Sequence, residues 1–153
     1  MHNLTRAQTL ICWAFQLTVA GILLQTLFFK FTGAEESVFI FSSVGRFVGV
    51  PAVEPWGRIG SGVIELIASI LLLVPATASL GAILTIGVMA GAIASHLVIL
   101  GIEVKSDGGL LFGLALVALT GSVIVLLFRR TQTALVGRLF RSLREPLSSG
   151  ELA

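Results

Sequence analysis

An all-α integral membrane protein is the fold this chain predicts: a four-helix bundle with a short outer interfacial helix and a basic amphipathic C-terminal helix. Three observations predict it. Of 153 residues, 56% are hydrophobic and 12% charged, too little polar surface to coat a water-soluble globule of this size. The mean hydropathy is +1.02. Four apolar runs, 10–29, 59–74, 78–100 and 109–128, each approach the ~20 residues that cross a hydrocarbon core.

These runs set helices at about 8–30, 57–75, 77–101 and 108–129 in one transmembrane domain, with an outer loop at 31–56 and a tail at 130–153. The first run follows Arg6 as a secretory leader would. It is long, however, carries Gln16 and Gln25, and lacks a small-x-small cleavage pattern before Lys30, so it reads as a retained helix. Cys12 is the only cysteine, which excludes an internal disulfide and a dithiol relay.

The loop at 31–56 is rich in apolar residues and reads as structured. Thr32 followed by Glu35 resembles a capping box, and Val38, Phe39, Phe41, Phe47 and Val48 mix with Ser42, Ser43 and Arg46 in an amphipathic pattern. A short helix over the outer mouth, ending near Gly49 and Pro51, is expected. Pro75 leaves only a short turn between the second and third spans, which must therefore form an antiparallel hairpin. Asp107, Gly108 and Gly109 read as a turn and cap opening the fourth.

Arg129, Arg130, Arg138, Arg141 and Arg144 join Arg6 on the side shared by both termini, six of the ten basic residues, which predicts cytoplasmic termini. Trp13 falls near the inner boundary and Phe28, Phe29, Phe31 and Trp56 near the outer one, where rings anchor spans. In the tail, Leu135, Leu139 and Leu143 share a stripe that would rest on the inner leaflet. The basic tail fits contact with anionic membrane lipid, and no nucleic-acid partner is expected.

Glu65 stands in the middle of an apolar helix, and a charge there costs about 2.5–3.5 kcal/mol on insertion scales. Gly57, Ser61, Glu65 and Ser69 form a four-residue stripe that turns Glu65 toward other helices. Gly87, Gly91 and Ser95 suggest a second small-residue seam with His96 beside it, and Gly109 and Gly113 a third; such faces also suit a homodimer. Glu65 lies seven residues from Arg58, ~10 Å deep, and His96 five from Gly101, ~7.5 Å deep. Lys30 closes the first helix at the same surface, and its stem can bend inward.

Lys30, Glu65 and His96 therefore make a candidate outer-leaflet cluster, with Gln25 and Arg58 as neighbours. A buried acid beside an imidazole can bind a polar head group or pass it a proton, with Glu65 and His96 as the catalytic pair and Lys30 supplying charge. The same placement has a structural reading, in which Glu65 pairs with Lys30 or Arg58 to fix helix register. No phosphate loop, metal-ligand pattern or Ser-His-Asp arrangement is present.

The segments LLQTLFFKFTGAEESVFIF, PWGRIGSGVIELIASILLLVPATASLGAILTIGVMAGAIASHLVILGIEV and DGGLLF, spanning roughly residues 20–125, resemble the DoxX family of small bacterial membrane proteins. Lys30 closing the first helix, Gly-x-x-Glu-Leu at Gly62 to Leu66 and His96 late in the third carry the likeness. The chain departs from the family at the end of the fourth helix, where Gly121 leads into aliphatic residues and Arg129. The resemblance implies a four-helix bundle in the bacterial cytoplasmic membrane and a redox association.

The leading expectation is a membrane subunit of a quinone-linked oxidoreductase, with a redox partner protein and a pocket containing Glu65 that takes a quinone-like molecule or a bound lipid. Two other classes stay open. One is a small proton-coupled transporter, and the other a scaffold that assembles other membrane proteins.

Overall fold

Helix signals at the ends of the apolar runs determine where the elements begin and stop. The computed structural model describes residues 5–129. Helix α1 (Arg6–Thr32) opens on a capping box: Thr5 Oγ1 accepts from the Gln8 backbone at 3.3 Å, and Thr5 N donates to Gln8 Oε1 at 2.9 Å. It closes at Gly33, whose φ of 68° suits a residue without Cβ. Helix α2 (Glu35–Val48) ends the same way at Gly49, φ 72°.

The expected cap of α2 by Thr32 is not formed. Thr32 is the last residue of α1, and its hydroxyl donates to the Phe28 carbonyl at 2.6 Å, while Ala34 holds the N-cap position. A helix that runs two residues further than its last charged residue takes Thr32 into its own hydrogen-bonding frame. The acids Glu35 and Glu36 in the first turn of α2 instead complement its dipole.

An irregular turn, Val53–Gly57, in which Glu54 is extended, leads into α3 (Arg58–Leu73). After the turn at Pro75 comes α4 (Ala78–Ser95), widened at its end over His96–Leu100, and then α5 (Leu110–Arg129). The described residues hold four helical stretches long and apolar enough to cross a membrane. The basic helix expected at 131–143 lies outside the described residues.

Helix α1 packs against α3 and α5, and α4 packs against the same two, so α1 and α4 stand diagonally across a ring of four contacts. Helix α2 lies over one end of this ring, the loop end, touching the turn before α3, the turn ending α4, and the helices α1 and α3. Lys105, from the loop before α5, pairs with Glu35 and lies 5.6 Å from the Phe39 ring centre on α2. At the opposite end Arg129 sits 5.8 Å from the Trp13 ring centre.

Burial is inverted relative to a water-soluble protein. Leu10, Leu17, Phe28, Ile70, Leu97 and Leu127 are exposed, while Gln16, Ser69, Ser79, Thr85 and Ser122 are buried beside Val19, Leu23, Ala68, Leu72 and Ala82. Lipid tails supply no hydrophobic drive for helix association, so close backbone approach through small residues and internal polar contacts must supply it.

The approaches are not all where glycine spacing suggests. A Cβ on Gly81 would meet the backbone of Leu72 at 2.6 Å and Ala68 at 2.8 Å, and one on Gly121 would meet Val19 at 2.7 Å. Gly87, Gly91 and Gly113 have open space around them. The seams of α4 and α5 therefore run through Gly81 and Gly121, not through the two stripes expected from sequence.

Asp107 caps α5 as expected: Oδ1 accepts from Val104 and Gly109 at 2.9 Å each, and Oδ2 from Leu111 at 3.0 Å. Burial opposes its ionisation, but the N–H groups of Leu111, Val104 and Gly109, with His96 nearby, hold the carboxyl below its ordinary range.

Two outcomes follow from this packing. Gly81→Ala, having no room, is expected to lower stability in detergent by about 1–3 kcal/mol, whereas Gly87→Ala should be neutral or gain up to ~1 kcal/mol from helix propensity; equal thermal midpoints for the two variants would refute the seam. The depressed Asp107 carboxyl contributes stability that is complete above the ordinary carboxylate range and lost as pH falls through the lower folded-state value. Acid melting curves should therefore show a steeper pH dependence for wild type than for Asp107→Asn.

Candidate functional site

Thr26 and Lys30 lie four residues apart on α1, and Gly62, Glu65 and Ser69 are spaced three and four apart on α3, so each set occupies one helical face. The two faces meet at Gly62, where an added Cβ would lie 3.2 Å from the Phe31 ring and 3.6 Å from Lys30 Cβ. This close approach brings the Lys30 stem alongside α3. Its ammonium forms an ion pair with Glu65 Oε1.

The second carboxylate oxygen, Oε2, accepts from Thr26 Oγ1 at 2.9 Å. That hydroxyl also lies 2.8 Å from the Leu23 carbonyl, so its single proton is shared between two acceptors. Ser69 Oγ donates to the Glu65 backbone carbonyl at 2.7 Å. Glu65 is 1% exposed and Lys30 15%, so the anion is sealed within the helices and its cation still reaches the surface.

Arg58 is buried one step away from the carboxylate. Its Nη1 donates to the Lys30 backbone carbonyl, one of the acceptors left over at the C-terminal end of α1. Its Nε and Nη2 bond the Glu54 carboxylate at 2.8–2.9 Å. The connection from Glu54 through Arg58 to Lys30 is electrostatic and positional, because a backbone carbonyl interrupts it as a proton path.

His96 and Gln25 form no hydrogen bond with Glu65 among the described residues. His96 opens the widened end of α4, and its Nδ1 is 2.8 Å from the Gly101 carbonyl. A carbonyl only accepts, so Nδ1 carries the proton and fixes the tautomer. The ring packs edge-on to Phe112 with centroids 5.6 Å apart. Gln25 is exposed on α1.

Sequence reasoning had named Lys30, Glu65 and Arg58 but not Thr26 or Glu54. Both carry a readable signal, since Thr26 precedes Lys30, and Glu54 precedes Arg58, by one helical repeat. Neither of two surface hollows is lined by Glu65: one of about 440 Å³ is bounded by Ser42, Gly45, Arg46, Gly49, Pro51 and Glu54. The other, of about 320 Å³, lies between α1 and α5 at Phe15, Leu116, Val117, Thr120 and Gly121. Both carboxylate oxygens of Glu65 are occupied by Lys30 and Thr26. No group of three His, Cys, Asp or Glu side chains suited to a metal occurs among the described residues.

Comparison with protein-family models, curated proteins and solved structures found no match for this chain. Chemically, the arrangement can hold one proton between a carboxylate and an amine away from water, or tie two spans together.

The pairing is open to a double-mutant cycle. Lys30→Met strands a buried anion and is expected to cost about 3–5 kcal/mol of stability, while Lys30→Met with Glu65→Leu should recover most of it. Additive losses in detergent unfolding would show that the two side chains are not coupled.

Proposed function

We propose that this protein is a DoxX-like subunit of the bacterial cytoplasmic membrane, a four-helix bundle with cytoplasmic termini, that serves a quinone-linked redox partner. In this reading the head group of a quinone-like molecule meets the Lys30–Glu65 pair at the loop end, beneath α2. The observation that carries it is a buried carboxylate whose cationic partner, Lys30, remains in reach of the surface. Intramembrane ionisable pairs of this kind mark proton-handling sites more often than chance placements.

The chemistry assigned to the chain is limited to protons and orientation. Reducing a quinone to a quinol takes two electrons, which the redox partner protein supplies, and two protons. Lys30, as the ammonium, donates a hydrogen bond to a head-group carbonyl oxygen and passes it one proton; the neutral amine left beside the Glu65 carboxylate is reprotonated from the surface that Lys30 reaches, which also supplies the second proton. Arg58 and Glu54 keep the end of α1 in register with α3. His96 acts in the loop before α5, not on the head group.

One observation favours a second reading, that of a scaffold for other membrane proteins. Both oxygens of Glu65 are already satisfied by the chain's own groups, and neither hollow reaches it. A buried pair of this kind fixes which helices meet and in what register.

Titration of the detergent-purified protein with ubiquinone and menaquinone separates the two, carried out well below the melting temperature of each variant. The redox reading expects saturable wild-type binding that weakens about tenfold or more, at least 1.4 kcal/mol, in Glu65→Gln. Equal, weak binding by both would overturn it. Lowered thermal stability of Glu65→Gln together with a co-purifying membrane protein would then support the scaffold.

A further inference from the structure

The hollow of about 440 Å³ at the C-terminal end of α2 presents opposite charges across one space, with Arg46 on α2 and Glu54 in the turn before α3. We infer that it seats the head group of a phosphoethanolamine lipid, the phosphate on Arg46 and the primary ammonium on Glu54. The inference rests on the membrane location of the chain and is independent of any quinone.

The backbone makes the space. A Cβ on Gly45 would meet the Val50 carbonyl oxygen at 3.0 Å and the Val53 side chain at 3.2 Å, so a larger residue would push the returning chain back by a few tenths of an ångström. Gly49 turns it with φ 72°, and the Val50 N–H closes the turn on the Gly45 carbonyl at 2.9 Å. What remains between α2 and the returning strand of chain is a half-open recess, within the size range of small-molecule sites.

Both charges retain bonding capacity. Arg46 is exposed and bonds Ser43 Oγ through Nη2 at 3.3 Å, which leaves most of its five N–H donors for a phosphate. Glu54 accepts from Arg58, with side-chain exposure of 18%, and a carboxylate has about four lone-pair positions.

Charge balance selects the head group. Glu54 keeps an acceptor position beyond its bonds to Arg58, so the recess sets an anionic acceptor opposite the Arg46 cation, a match for a zwitterion's ammonium and phosphate. A quaternary choline has no N–H to donate to Glu54, whereas a primary ammonium has three. Around the recess in sequence, Phe47, Val48, Val50 and Trp56 are exposed, at 62%, 52%, 49% and 71%. Apolar and aromatic groups flanking a charged recess are the composition of a membrane interface, where they would lie against acyl chains.

The test is lipid binding to the purified full chain in detergent, read by native mass spectrometry with dioleoyl lipids carrying ethanolamine, choline or glycerol head groups. The expected result is retention of the ethanolamine lipid at least fivefold tighter than either other, reduced to their level in Arg46→Gln. Quinone binding by Arg46→Gln should be unchanged, which separates this site from the Lys30–Glu65 pair. Because Arg46 is exposed, the variant is expected to fold normally. Equal retention of the choline lipid, preference for the glycerol lipid, or ethanolamine binding that survives Arg46→Gln would each overturn the assignment.

Discussion

A carboxylate held away from water between apolar helices requires a cation, and that requirement organises the loop end of this protein. Glu65 draws Lys30 across from α1, and Lys30 can make the reach because Gly62 lets the two helices approach closely. Arg58 then attaches to the end of α1 through the Lys30 carbonyl and to the preceding turn through Glu54.

The remainder of the ring is assembled on a different principle. Deep in the helices, Gly81 against Ala68 and Leu72, and Gly121 against Val19, set backbone separation, and Gln16 reaches from α1 to the Leu72 carbonyl on α3. Many large aliphatic side chains point outward, while Leu23 and Leu72 fill the interior beside small and polar residues. Association through shape and internal hydrogen bonds is what a solvent of hydrocarbon leaves available.

The four spans and the turn at Pro75 were legible from composition and run length, since both report directly on the thickness of a bilayer. The Lys30–Glu65 contact was legible as well, because depth and a helical stripe together point one side chain at another. His96 shows where such reasoning stops. Residue rise gives depth but not direction, and the His96 ring turns to the Gly101 carbonyl and to Phe112 on α5. Gly87 and Gly91 mislead for a related reason, since spacing identifies a face without saying what it faces. Thr32 was read as the start of α2 because a cap signal and a terminal helix residue are the same letter until the left-handed turn at Gly33 is known.

Helix α2 differs from the spans in how it is held. Left-handed glycines stand at both of its ends, and its principal charged tie is the Lys105–Glu35 pair, which is largely open to solvent. Interactions between exposed charges are screened by dissolved ions over a Debye length of roughly 8 Å at physiological ionic strength. Ionic strength is therefore the variable to which this segment answers first, and its amide protons should trade with solvent through small local openings while those of the four long helices stay protected.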